Sequence, residues 1–250
     1  MAVMTADTLA SGLADLTGKV VIVTGASSGI GAATAAALHD ASALPVLAAR
    51  RGDRIDELAG QLVGALAVRT DVTDGSDIHR LVDLTLDRYG RIDGLVNNAG
   101  VALHEPLDTL DLDRFSSALD LNVIGLLAMS QAVLPAMRAQ HAGVIVNVSS
   151  GTTRTAMPGV GGYAATKAAV NMLTSVLRKE VAADGIAVSL VVPFITATEF
   201  GGGRFQPGTP GPGGMIPHSA EYVGRVILRA LQTGEERVDI QPGPEQPIAG

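Results

Sequence analysis

The chain has 250 residues, 47% of them hydrophobic and 17% charged, with a formal net charge of −7. That length suits one large α/β domain or two small ones. The hydrophobic content excludes a disordered chain, and the acidic balance argues against a nucleic-acid binder, which normally carries a basic patch. The absence of Cys removes disulfides, thiolate catalysis and Cys-rich zinc sites, and it fits a reducing, cytoplasmic setting.

Residues 1–15 show no pattern and read as a loose arm. No Lys or Arg precedes Lys19, so the basic start of a secretory signal is missing. No apolar run approaches the roughly 18 residues of a membrane span, so no membrane partner is expected. Segments 19–24, 44–49, 65–70, 94–97, 143–149 and 186–192 are apolar without alternation, the pattern of parallel strands covered on both faces. A short stretch at 238–241 is a candidate seventh strand, and Pro45 should mark the first residue of its strand. Helical patterns lie between, at 30–39, 78–89, 110–137, 163–183 and 220–232. Strand–helix alternation over the whole length implies an α/β fold, a single doubly wound domain over 16–241 with about seven parallel strands and helices on both faces. The Gly/Pro-rich stretch 201–217 follows the sixth strand and reads as a substrate lid. Residues 242–250 read as a surface tail.

Three motifs carry chemistry. Between the first strand and first helix lies Thr24-Gly25-Ala26-Ser27-Ser28-Gly29-Ile30-Gly31. Glycines there let the backbone approach a pyrophosphate, which the free N–H groups of a helix N-terminus favour. Asn97-Asn98-Ala99-Gly100 closes the fourth strand. Tyr163 and Lys167 stand at i and i+4, one turn apart on one helix face. A nearby ammonium favours the phenolate over the phenol.

Together these motifs resemble the short-chain dehydrogenase/reductase superfamily, over roughly Leu16 to Ile240. The resemblance implies a Rossmann fold and an enzyme acting on a small carbonyl or alcohol substrate. Tyr163 is then the general acid/base. Lys167 lowers its pKa and holds the nicotinamide ribose. Ser150, thirteen residues before Tyr163, polarises the substrate oxygen, with Ser149 as its rival, and Asn122 holds a water linking Lys167 to solvent. The coenzyme is expected on Gly25, Ser27, Ser28, Gly29, Ile30 and Gly31, with Asp71 and Val72 at the adenine and Asn98, Ala99 and Gly100 on the adenosine side. Pro193 and Thr198 belong at the carboxamide, and Asn97 stabilises the sheet. A homo-oligomer, dimer or tetramer, is also implied, with the Ala-rich face of the Tyr163 helix at its interface.

The end of the second strand reads Ala49-Arg50-Arg51, with no acidic residue for both ribose hydroxyls. Arginines there suit a 2′-phosphate, so NADP (NADPH) is the expected cofactor. Phe194 follows Pro193 where the family often has Gly, which places a bulky ring at the nicotinamide end. Arg154 reads as an exposed loop residue or a contact for an anionic substrate. The five His residues lack ligand spacing, so no metal is expected. Two other readings stay open: an epimerase or dehydratase that consumes no net NADPH, and a non-catalytic NADP-binding regulatory protein. Of three Tyr and four Phe, Tyr163, Phe194, Phe200 and Phe205 fall on or near the expected active site.

Overall fold

The apolar runs pair because none alternates: each needs cover on both faces, and parallel neighbours flanked by helices supply it. Seven strands result, β1 (Val20–Thr24), β2 (Leu44–Ala49), β3 (Leu66–Arg69), β4 (Gly94–Asn97), β5 (Gly143–Val148), β6 (Ile186–Val192) and β7 (Arg237–Asp239). They form one parallel sheet in the order β3-β2-β1-β4-β5-β6-β7. The structure is a computed structural model that describes residues 12–203, 205, 209–210 and 214–248.

The helices are α1 (Gly29–Asp40), α2 (Gly52–Gln61), α3 (Gly75–Tyr89), α4 (Leu112–Leu119), α5 (Gly125–Gln140), α6 (Gly161–Val181), the short turn α7 (Phe200–Gly203) and α8 (Ala220–Thr233). Successive strand residues point to opposite faces. Val21 and Val23 therefore join Leu38 of α1, Ile55 of α2 and Ile227 of α8 in one layer. Val20 and Ile22 join Leu81 of α3, and Met129 and Met137 of α5, in the other. This is the expected single α/β domain. Strand order reverses between β1 and β4, and in such sheets the crevice outside the strand C-termini at that point is where ligands bind.

Several local expectations are corrected. Helix α2 had no apolar signature because Ile55 is its one buried residue. Pro45 is the second residue of β2, not the first. It is tolerated because β3 begins opposite Val46, so no ladder partner faces its missing N–H. Residues 1–11 of the expected arm lie outside the described residues, but Leu13 is buried and its N–H donates to the Leu231 carbonyl at 2.8 Å. The domain therefore begins before residue 16. The tail is tethered rather than free: Glu245 accepts from the N–H and hydroxyl of Ser219, and the Gln246 N–H donates to the Tyr222 hydroxyl. The helical stretch Leu112–Gln140, formed by α4, a π turn at Asp120–Ile124 and α5, is long and apolar enough to cross a membrane by length and composition. It serves here as a core helix, with Met129, Val133 and Met137 fully buried against the sheet.

Candidate active site

The turn from β1 into α1 shows why glycine recurs there. A Cβ on Gly31 would lie 2.3 Å from the Gly25 carbonyl oxygen, and one on Gly25 would lie 2.9 Å from Cα of Ala99. Gly25 and Gly29 have φ of 67° and 54°, the left-handed region. Thr24 locks this turn to the neighbouring strand, its Oγ1 accepting from the N–H groups of Asn98 and Ala99 at 3.0 and 3.1 Å. The Asn98 amide donates back to the Thr24 carbonyl at 2.9 Å. Asn97, as expected, crosses the sheet, donating to Asn147 Oδ1 at 2.9 Å and Ser130 Oγ at 3.0 Å.

Along this turn runs a cleft of about 460 Å³, lined by Gly25, Ser27, Ser28, Gly29 and Ile30 on one side and by Thr198, Glu199 and Phe200 on the other. Arg50, Asp71, Val72 and the 98–100 strand end complete the adenosine side. The Asp71 carboxylate itself is engaged by the N–H and hydroxyl of Thr73, which shapes its loop. Ser28 precedes α1 without capping it through its side chain, so the first-turn amides face the cleft uncapped. The narrow glycine cradle, the uncapped helix start and the length of the cleft fit a dinucleotide.

At the adjoining end, β5 delivers Ser149 and Ser150. Ser149 is buried, and its hydroxyl donates to Asn171, which removes it as the rival. Ser150 heads the tight turn Gly151–Thr153, accepting from the Thr152 N–H at 3.2 Å and its hydroxyl at 3.0 Å. The Gly151 N–H donates to the Pro193 carbonyl at 2.8 Å, so Pro193 braces this turn. The Ser150 hydroxyl stands near enough to the Tyr163 phenol to draw its pKa down. Tyr163 and Lys167 share the buried face of α6, and Lys167 Nζ donates to the Val148 carbonyl at 2.9 Å, 6.0 Å from the Tyr163 ring centre. Ser150, Tyr163 and Lys167 are thus brought together.

One expectation at this end is corrected. Burial pushes the Tyr163 phenol up to about 12, with the Ser150 hydroxyl pulling the other way, so Lys167 does not lower it in this state. Burial also pushes Lys167 down to about 8. Asn122 sits buried in the π turn with both ends of its side-chain amide bonded. Its Oδ1 accepts from the Val101 N–H at 2.8 Å, and its Nδ2 donates to the Val101 carbonyl at 2.9 Å and Thr166 Oγ1 at 3.0 Å. Its amide therefore ties the 98–101 loop to α6.

The arginines are arranged differently from expectation. Arg51 is the one aimed at the glycine turn, donating to Ser27 Oγ at 2.8 and 3.0 Å and to Ser28 Oγ at 2.7 Å. A carboxylate that sequence reading did not find, Glu199, accepts from Arg51 at 3.1 Å and from Arg54 at 2.9 and 3.0 Å. Phe194 stands beside the Ser150 turn. Its ring meets His218 edge-on at 6.3 Å and packs behind Gly151. Arg154 is an exposed loop residue, and it bonds Asp239 at 3.3 Å and the Ile240 carbonyl at 3.2 Å. Part of the 201–217 segment lies outside the described residues. Its two ends meet where Thr196 bridges His218 and the Ala197 N–H donates to the His218 carbonyl at 2.9 Å. Phe200 stands over Tyr163, ring centres 5.8 Å apart.

Dinucleotide cleft, serine turn and Tyr–Lys helix together define a nicotinamide-dependent oxidoreductase. The family model described as short chain dehydrogenase matches residues 19–207. An uncharacterised oxidoreductase of Listeria monocytogenes is 40% identical over 183 residues, 72% of this chain and 74% of that protein. One from Staphylococcus aureus is 36% identical over 185 residues, 73% of this chain and 80% of its own. Among solved structures, an alcohol dehydrogenase from Thermococcus sibiricus complexed with 5-hydroxy-NADP is 25% identical with TM-score 0.81, covering 93% of this chain and 99% of that one. A 3-ketoacyl-(acyl-carrier-protein) reductase from Brucella melitensis complexed with NADH is 27% identical with TM-score 0.82, covering 90% and 97%. The chain belongs to the short-chain dehydrogenase family and is an oxidoreductase of that family.

Proposed function

We propose that this oxidoreductase is an NADPH-dependent carbonyl reductase, reversible as an alcohol dehydrogenase, and that Ser150, Tyr163 and Lys167 carry its chemistry. The observation behind this is the buried Tyr163 phenol, with the Ser150 hydroxyl beside it and Lys167 one helical turn on. A bound nicotinamide supplies or accepts the hydride. Ser150 positions the carbonyl oxygen, and Tyr163 gives that oxygen its proton. Because burial holds the phenol well above neutral pH, Tyr163 keeps its proton at pH 7 and serves as an acid, which suits reduction. Oxidation needs the phenolate and therefore favours higher pH. Lys167, lowered to about 8, balances a developing phenolate at little further cost in desolvation.

For the coenzyme, support for NADPH comes from Arg51 beside Ser27 and Ser28 at the end of β2. A guanidinium there meets a 2′-phosphate through paired bonds. Titration of the protein with NADPH and NADH, followed by coenzyme absorbance during turnover of a ketone and aldehyde panel, tests both halves. We expect NADPH to bind about tenfold tighter and to be consumed. NADH binding as tightly defeats the coenzyme assignment, and no net consumption with any carbonyl defeats the reductase assignment.

A further inference from the structure

We propose that Glu199 is a latch. It occupies the 2′-phosphate site between Arg51 and Arg54, and a coenzyme 2′-phosphate that displaces it releases the segment holding Phe200 over Tyr163. The inference rests on the NADPH reading above.

The site is built for a larger anion than it holds. Two guanidiniums, from Arg51 and Arg54, face the single Glu199 carboxylate. Arg51 is held in place by both hydroxyls of the glycine turn, Ser27 and Ser28. Two positive charges against one negative leave a surplus that a phosphate monoester, with about −1.5 to −2 charges at neutral pH, matches better. Glu199 is an anion at neutral pH, because its bonds to Arg51 and Arg54 hold its carboxyl below the usual range. It is also well placed to leave, being 59% exposed in its side chain and separated from the arginines by about 145 residues of chain.

Release of Glu199 reaches the catalytic end through one peptide. Thr198 packs on Gly29, and its hydroxyl accepts from the Phe200 N–H at 3.2 Å. The next residue, Phe200, sets its ring 5.8 Å from that of Tyr163. Gly201, Gly202 and Gly203 follow at φ of 65°, 88° and 67°, a left-handed run that only glycine adopts freely. Glu199 and this glycine hinge flank Phe200 on either side. The consequence is ordered binding: coenzyme opens the roof over Tyr163, and the carbonyl substrate enters second. A coenzyme without the 2′-phosphate leaves the latch engaged, so the same contact sharpens coenzyme choice.

The test uses the full chain and two probes, 2′,5′-ADP and 5′-AMP, in calorimetric titration of the wild type and Glu199→Gln. Exposed ion pairs are worth little individually, so Glu199→Gln should bind 2′,5′-ADP about fivefold tighter than the wild type does, with 5′-AMP unchanged. The gain should shrink as salt rises. Hydrogen–deuterium exchange of the peptide 195–203 should rise in the wild type with 2′,5′-ADP and not with 5′-AMP, and should start high in Glu199→Gln. Equal affinity of both proteins for 2′,5′-ADP, or unchanged exchange, overturns the latch while a preference for 2′,5′-ADP over 5′-AMP keeps the NADPH reading. No such preference in either protein overturns both.

Discussion

A methyl group added at Gly31 would meet the Gly25 carbonyl oxygen at 2.3 Å, whereas one added at Gly202, across the cleft, would meet nothing within 4 Å. The first wall of the cleft is backbone packed on backbone, with Thr24 and Asn98 lacing β1 to β4. The facing wall, 193–203, is main-chain bonded at its base, Pro193 to Gly151 and Ile195 and Ala197 to His218, but its outer part is held by side chains: Glu199 on two arginines and Phe200 on Tyr163. A wall of the first kind suits a coenzyme of fixed shape. One of the second kind can move, and side-chain contacts to exposed partners break at low cost.

If that contrast is right, substitutions on the two walls should fail differently. Gly31→Ala has no room to relax, because the Gly25 carbonyl it meets is main chain and the Asn98 amide beside it is bonded to Thr24. Coenzyme affinity should fall on the order of a hundredfold and Tm by several degrees, measured by titration and thermal denaturation. A variant that binds normally would mean the first wall is as soft as the second. Arg154 belongs to neither wall and ties the Ser150 turn to β7 through Asp239 and the Ile240 carbonyl. Arg154→Ala should lower kcat about tenfold with KM within about twofold, since it loosens the position of Ser150 without touching substrate. Arg154→Lys should recover part of the loss, and equal damage to kcat and coenzyme binding would contradict a positioning role.

A smaller effect concerns pH. Lys167 sheds its proton near pH 8 when folded but near its ordinary 10.5 when unfolded. In that window the unfolded chain binds more protons, so stability gains as pH rises from 8 to 10. The gain should be present in the wild type and absent in Lys167→Met, read as the difference between their denaturation midpoints across that window. Identical pH dependence would show that Lys167 is not buried as described.

What could be read from sequence was local. Residues 24–31 and the Tyr163–Lys167 pair carry their geometry in contiguous spacing, because a turn or a helix face is set by near neighbours. The buried parallel strands were legible for a similar reason, as runs of Val, Ile and Leu without alternation. Glu199 was not legible. It meets Arg51 across 148 residues, and nothing about a single Glu after a Thr announces a guanidinium opposite. Arg154 and Asp239, 85 residues apart, were hidden for the same reason. Residue types suggested a Tyr163 lowered by Lys167, but only the fold shows how far burial outweighs that attraction.

The most direct measurement is NADPH-linked carbonyl turnover by Tyr163→Phe beside the wild type, with NADPH affinity titrated in parallel. Loss of the proton donor alone should reduce kcat by about 10²–10⁴-fold, and the affinity should change by less than about twofold because the phenol hydroxyl stands beside Ser150. Turnover that survives the substitution would contradict the assignment of Tyr163 as the general acid.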